Sequence, residues 1–197
     1  MTKLEGVVQR LVEKGLTKHS IVQAILNDYV QNQPDKEKLK QLAEMIKEKL
    51  PALLASKQGL QVACAVFNVL EAKDRKVAIK ALPVVEMLAN KNAHLFLIHI
   101  ANTLDDTQLT KKKLLHEALK VVDDQVGDKF YQTFVISALL PMAKDQQVKN
   151  TAVTPEEQEI FATLQHWTSS KKDNAVRANE LFKIAQKPLE IFFEEKL

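Results

Sequence analysis

Apolar residues recur at three- and four-residue spacings along almost the whole chain: Leu4, Val7, Val8, Leu11 and Val12, then Ile21, Ile25, Leu26 and Val30, and onward. That period collects them on one face of an α-helix, so the pattern predicts an all-α protein. Breaks fall at Gly15-Leu16-Thr17, Gln33-Pro34-Asp35, Ser56 to Gly59, Asn90 to Ala93, Asp105-Asp106, Gly127-Asp128 and Pro141. They cut the chain into helices of roughly 12 to 20 residues. Pro51 and Pro83 lie inside otherwise helical stretches. A kink or a local interruption is expected at each, because proline lacks a backbone donor and crowds the preceding turn.

Two kinds of helix alternate. Lys36 to Ala55, Lys73 to Asn90 and Thr107 to Asp123 are amphipathic with a charged face, and each precedes a more apolar helix. The apolar helices read KHSIVQAILNDYV from Lys18, GLQVACAVFNVL from Gly59, AHLFLIHIANTL from Ala93 and YQTFVISALLPM from Tyr131, at successive offsets of 41, 34 and 38 residues. A period of roughly 36 residues with two or three helices per unit predicts a superhelical stack, since a lone helix pair cannot bury its own apolar face. About four units are expected, with second helices near 18–31, 59–71, 93–104 and 131–141, all in a single domain spanning 1–197. After a polar stretch from Ala143 to Thr154, C-terminal helices over 155–197 are expected to close the stack: Pro155 opens one, SSKKD at 169–173 is a loop, and Pro188 kinks the last.

Composition narrows the class. Only 4 Gly and 6 Pro in 197 residues supply too few tight turns for a sandwich or barrel. Lys and Arg number 28 against 25 Asp and Glu, a net charge of +3, which permits a polyanion partner without demanding one. The single cysteine, Cys64, cannot form an internal disulfide, and MTKLEGVVQRLVEKG alternates charged and apolar residues. The expectation is a soluble protein of a reducing intracellular compartment, with neither signal peptide nor membrane span.

Enzyme motifs fail in turn: there is no HExxH, GxSxG, glycine-rich phosphate loop or CxxC pair. His94 and His99, five apart, fall on different helix faces, and His116 and His166 bear no regular relation to them, so neither a metal nor another cofactor is expected. Cys64, inside VACAVF, reads as a small core residue. Asp105-Asp106 reads as a helix end followed by an N-cap. Cations are the remaining signal. They cluster as Lys36, Lys38 and Lys40; Lys73, Arg75, Lys76 and Lys80; Lys111, Lys112 and Lys113; and Lys171, Lys172 and Arg177, mostly at the starts of first helices. Stacked repeats would align such positions into a stripe able to follow phosphates.

Four ordered blocks resemble the penguin or Puf-A type of Pumilio-related proteins. SKQGLQVACAVFNVLEAKDRKVAIKAL (56–82) resembles the family's glycine, apolar helix and KDRKV; NAHLFLIHIANTLDDTQLTKKKLLHEAL (92–119) resembles its histidine-leucine helix, DDT and lysine-bearing helix. VGDKFYQTFVISALLPMAKD resembles the family's next repeat, and SKKDNAVRANELF the segment after that repeat. The resemblance covers about Lys18 to Glu195, a central to C-terminal portion of the longer family members. It implies an α-solenoid of Pumilio-like repeats in a right-handed stack, a nucleolar location in the nucleus, and a role in assembling the large ribosomal subunit. It also implies RNA binding, and DNA binding, with little sequence preference.

Sequence-reading Pumilio repeats grip one base with three side chains of the second helix, two hydrogen-bonding and one stacking. Here those triples fall at His19, Ser20 and Gln23; Leu60, Gln61 and Cys64; His94, Leu95 and Ile98; and Gln132, Thr133 and Ile136. Only the first has the chemistry to read a base. The leading expectation is therefore a non-catalytic scaffold, of ribosome biogenesis or of mRNA regulation, that holds structured, pre-ribosomal RNA by its phosphates through Lys73, Arg75, Lys76, Lys80, Lys111, Lys112 and Lys113, with Lys171, Lys172 and Arg177 in support. No membrane and no small-molecule substrate are implied. The rival is a scaffold that docks a ribosome-assembly protein, its basic face merely solvated.

Overall fold

The computed structural model describes residues 3–32 and 35–120, together with 134, 155, 172–173, 176–177, 179–184 and 186. Within residues 3–120 the α-helices are α1 (Lys3–Glu13), α2 (Ser20–Gln31), α3 (Lys36–Ile46), α4 (Leu50–Leu53), α5 (Lys57–Val69), α6 (Ala72–Lys80), α7 (Val84–Leu88), α8 (Ala93–Thr103), α9 (Thr107–Thr110) and α10 (His116–Lys120), and residues 176–177 and 179–184 are helical as well. Single 3₁₀ turns occupy Leu16–Lys18 and Lys47–Lys49, a π-helical segment occupies Lys111–Leu115, and no strand occurs among the described residues.

Local chemistry sets the boundaries. Gly15 takes a left-handed φ of 70° and its amide bonds Val12 O at 2.9 Å, closing α1 in a conformation that glycine adopts without a Cβ penalty. Asp35, Ser56 and Asp106 act as N-caps, their side-chain oxygens accepting from Glu37 N (2.9 Å), Gly59 N (3.0 Å) and Leu109 N (2.9 Å). The two prolines interrupt their helices outright. Pro51 sits in the first turn of α4, where a missing N–H costs nothing, after the 3₁₀ turn that ends α3. Pro83 stands just before α7. The first helices expected from Lys36 and from Lys73 are thus each two shorter ones, whereas that expected from Thr107 runs on through α9, the π-helical segment and α10. The second helices near 18–31, 59–71 and 93–104 correspond to α2, α5 and α8. The one expected at 131–141 and most of the C-terminal helices fall outside the described residues.

The chain divides into two compact units, Met1–Leu82 with Thr163–Ser169, and Pro83–Ala162 with Ser170–Leu197. In the first, α5 lies against α2 and α3, and α1 against α2 and α3. Every residue of α5 from Leu60 to Asn68 except Gln61 is buried, which is why its sequence shows so little polar face. In the second unit, α8 buries all but Asn102 and lies against α7 and α9, while α10 lies against α7. Burying each Leu, Ile or Phe of these helices is worth roughly 1.5–3 kcal/mol, so the apolar second helices anchor both units.

Candidate nucleic-acid interface

Helix α6 begins directly after α5 ends, and its cations divide by direction. Lys73, Lys76 and Lys80 are exposed. They recur at three- and four-residue spacings and so share one face. Arg75 turns the other way. Its Nε donates to Leu70 O (3.0 Å) and its Nη2 to Asn68 O (2.5 Å), with the guanidinium 5.6 Å from the Phe67 ring centroid. Those carbonyls belong to the last turn of α5, which lacks intrahelical donors. Arg75 is therefore a cap on α5, bound to structure through two carbonyls and a ring.

Asp74, between these cations, accepts from Lys47 Nζ at 2.8 Å, and the same ammonium reaches Glu44 at 2.7 Å. The hydrogen bond to Asp74 first, and that to Glu44 second, hold the Lys47 ammonium well above the ordinary lysine range. Helix α3 keeps no comparable row of cations: Lys38 is ion-paired with Glu5 of α1, and Glu37 is exposed next to Lys36. The stripe expected from Lys36, Lys38 and Lys40 is thus partly neutralised.

Lys111, Lys112 and Lys113 fall in the π-helical segment, Lys111 and Lys112 exposed and Lys113 half-buried, while Leu114 and Leu115 behind them are buried. Being consecutive, the three ammonium groups fan around the axis, and the buried leucines root the turn that carries them. A π-type widening inside an α-helix often accompanies a functional site.

Arg177 corrects an expectation. It is only 2% exposed, donates to Asn102 O, to Lys172 O (3.0 Å) and to the Asp105 carboxylate (3.4 Å), and so is withdrawn from any surface contact with phosphate. A guanidinium with five donors suits this place because it can satisfy carbonyls at a helix end and a carboxylate together. Asp105 also accepts from Lys172 N at 3.1 Å. Lys172 is half-buried with its Nζ on Glu180 Oε2 at 2.7 Å, and the same oxygen takes Thr107 Oγ1 at 2.6 Å. The Lys172 hydrogen bond first, and that of Thr107 second, hold the Glu180 carboxyl below its usual range. These bonds fasten Lys172, Arg177 and Glu180 to the α8–α9 junction. Lys171 lies outside the described residues.

Of the first base-reading triple, His19 and Ser20 are exposed, but Gln23 is buried, and its amide is consumed internally. Nε2 donates to Thr17 O and Ala52 O, both at 3.0 Å, and Oε1 accepts from Ser56 Oγ at 2.6 Å. The expectation that this triple could read a base is therefore overturned: Gln23 ties α2 to α4 and to the cap of α5. Leu60, Cys64, His94, Leu95 and Ile98 are all buried. Burial also pushes the Cys64 thiol well above its ordinary value, which suits a core residue and not a nucleophile. Gln132, Thr133 and Ile136 are outside the described residues. Gly59 explains its own place in the motif, since a Cβ there would lie 1.8 Å from Leu53 O and 2.7 Å from Gln23 Oε1. Among the described residues no cluster of three His, Cys, Asp or Glu could hold a metal, and no helix is long and apolar enough to cross a membrane.

No protein-family model matches the chain. Rat (Rattus norvegicus) Pumilio homolog 3 is 30% identical over 184 residues, 92% of this chain but 27% of the rat protein. Pumilio homology domain family member 6 of Saccharomyces cerevisiae is 30% identical over 129 residues, 64% of this chain and 20% of the yeast protein. The chain thus spans about a quarter of the length of these relatives. A crystal structure of human Puf-A in complex with DNA superimposes with a TM-score of 0.83 at 25% identity, covering 98% of this chain and 38% of that one. Helix order, burial and this superposition define an all-α helical-repeat protein of the solenoid class. The chain belongs to the Pumilio-related proteins of the Puf-A type, the group its four sequence blocks resemble.

Proposed function

We propose that the chain is a nucleic-acid-binding scaffold of ribosome biogenesis. It tracks the phosphate backbone of structured RNA, and of DNA, without reading sequence. The observation that carries this reading is the match, over nearly the whole chain, to a Puf-A solved with DNA bound. The exposed cations Lys73, Lys76, Lys80, Lys111 and Lys112, with the half-buried Lys113, supply the contacts. Arg75, Lys172 and Arg177 hold the scaffold that presents them. Phosphate contacts position a nucleic acid without specifying it, and the burial of Gln23, Leu60, Cys64, Leu95 and Ile98 leaves little with which to specify. Its place of action is the nucleolus, on large-subunit precursor RNA and beside ribosome-assembly proteins.

The test is a mobility shift of the chain with duplex RNA, single-stranded RNA and duplex DNA of unrelated sequences at two salt concentrations. Comparable, salt-sensitive binding is expected for all three. A base-selective shift overturns the phosphate-tracking reading. No shift at low salt overturns nucleic-acid binding itself and leaves a protein-docking scaffold.

A further inference from the structure

Helix α1 carries a second cationic face that the basic clusters of the sequence did not mark. Lys3, Val7, Arg10 and Lys14 are all exposed and recur at spacings of four, three and four residues, so they form one stripe. Lys14 follows the last residue of α1, yet its amide still donates to Arg10 O at 3.1 Å, which keeps it in helical register. The helix's two carboxylates each have another partner, Glu13 standing at the edge of the stripe three residues after Arg10. Glu5 is ion-paired with Lys38 of α3, and Glu13 accepts from Gln9 Nε2 at 2.8 Å. Among the described residues no carboxylate pairs with Lys3, Arg10 or Lys14, whereas Lys38 and Lys47 of the neighbouring α3 region are both paired. Arg10 is also held in place. Its Nε donates to Gly6 O at 2.9 Å, which restrains the side chain and leaves its Nη groups for an outside acceptor.

The stripe has a counterpart in α6. Val7 is 39% exposed amid Lys3, Arg10 and Lys14, and Val77 is 52% exposed amid Lys73, Lys76 and Lys80. A singly exposed valine is ordinary on a protein surface and leaves the flanking cations open to an anion. From Lys3 to Lys14 the helix rises about 16 Å, against about 3.4 Å per nucleotide along one strand of a duplex, so the three cations can each meet a different phosphate.

We propose that the outer face of α1, through Lys3, Arg10 and Lys14 around Val7, is a second phosphate-backbone contact for nucleic acid, in addition to α6 and the 111–113 turn. This inference rests on the nucleic-acid reading above. The experiment is fluorescence anisotropy of labelled RNA and DNA duplexes titrated with the whole chain between about 0.05 and 0.2 M salt. Three proteins are compared: wild type, the triple variant Lys3→Ala, Arg10→Ala, Lys14→Ala, and a charge-matched control, Lys36→Ala, Lys91→Ala, Lys120→Ala. Circular dichroism verifies that each is folded.

If three contacts are lost, the slope of log K against log salt falls by about two to three, and affinity near 0.15 M drops about a hundredfold for every sequence. The control is expected to lose under tenfold. Wild-type binding with an unchanged triple variant overturns the α1 site while the nucleic-acid reading stands. Equal losses in the triple variant and the control also overturn it, because net charge and not a local face would then be acting. Absence of wild-type binding at low salt overturns both readings. Anionic vesicles form a parallel arm: loss of vesicle binding alone, with duplex affinity retained, assigns the face to a membrane surface and overturns the proposal.

Discussion

Replacing Gly59 by alanine tests the packing of the first unit with a single methyl group. In an exposed helix the change would stabilise by about 1 kcal/mol through helix propensity. Here the added Cβ would lie 1.8 Å from the backbone oxygen of Leu53 and 2.7 Å from Gln23 Oε1. The Gln23 side chain can swing aside, but only by giving up its bonds to Thr17 O, Ala52 O and Ser56 Oγ. The Leu53 carbonyl belongs to α4 and moves only with that helix. Overpacking costs about 1–3 kcal/mol, and stranding buried polar groups of the Gln23 network adds about 1–3 kcal/mol. After the propensity gain, the net expectation is a destabilisation of about 1–5 kcal/mol, or a Tm lower by roughly 2–20 °C. Urea unfolding followed by circular dichroism measures it as a lower midpoint with an unchanged slope. Compared with Gln23→Ala alone, the double variant Gly59→Ala, Gln23→Ala isolates the second contact, and it is the less stable of the two because the Leu53 carbonyl is still in the way. A neutral or stabilising Gly59→Ala would refute the close approach of α5 to α4 and the clamp built on it.

Replacing Lys111, Lys112 and Lys113 together by alanine is expected to weaken binding to all nucleic-acid sequences alike and to lower the salt slope by about 0.9 per lost contact, measured by anisotropy at several salt concentrations. Arg177→Ala acts on stability instead, lowering it by about 2–3 kcal/mol in urea unfolding because the carbonyls of Asn102 and Lys172 lose their donor, with affinity per folded molecule unchanged. The Glu180 carboxyl, held below its ordinary 4.5, contributes stability that is present above that value and lost as pH falls through the folded pKa. Thermal unfolding between pH 6 and 3 should therefore be steeper in wild type than in Glu180→Gln. Cys64, buried with its thiol pushed up, is expected to resist alkylation in the native chain at pH 8 and to react readily in urea, a contrast that mass spectrometry reads directly.

The apolar second helices were legible because their period and length are unambiguous: GLQVACAVFNVL has almost no polar residue to place elsewhere, and it is α5. So was the cap at Asp106, which follows the end of an apolar helix and stands three residues ahead of the amide it accepts from. The division of the first helices was half legible. Pro51 and Pro83 announced a disturbance, but whether a proline bends a helix or starts a new one depends on what the freed carbonyls meet, and that is a tertiary matter. The role of Gln23 was not legible. Its partners Thr17, Ala52 and Ser56 are scattered along the chain, and a glutamine that reads a base looks the same in sequence as one that joins three segments.

The cations show the same limit more sharply. Arg75 and Lys73 are two residues apart in one cluster, yet the first caps α5 through two carbonyls and the second faces outward. Sequence counts charges, whereas what a charge does depends on which carbonyls and carboxylates lie within its reach. Arg75 and Arg177 reach the carbonyls at the ends of α5 and α8, where a planar fork can satisfy helix-end acceptors that a lysine serves less completely. The cations that remain outward on α6 and in the 111–113 turn are lysines. On α1 the cluster was diluted by Val7 and by residues of the opposite face, so its spacing emerges only once the helix is wound and Glu5 is seen to be occupied by Lys38. Two of the chain's three arginines, Arg75 and Arg177, thus close the ends of buried helices, whereas Arg10 and the lysines of α6 stay on outward faces.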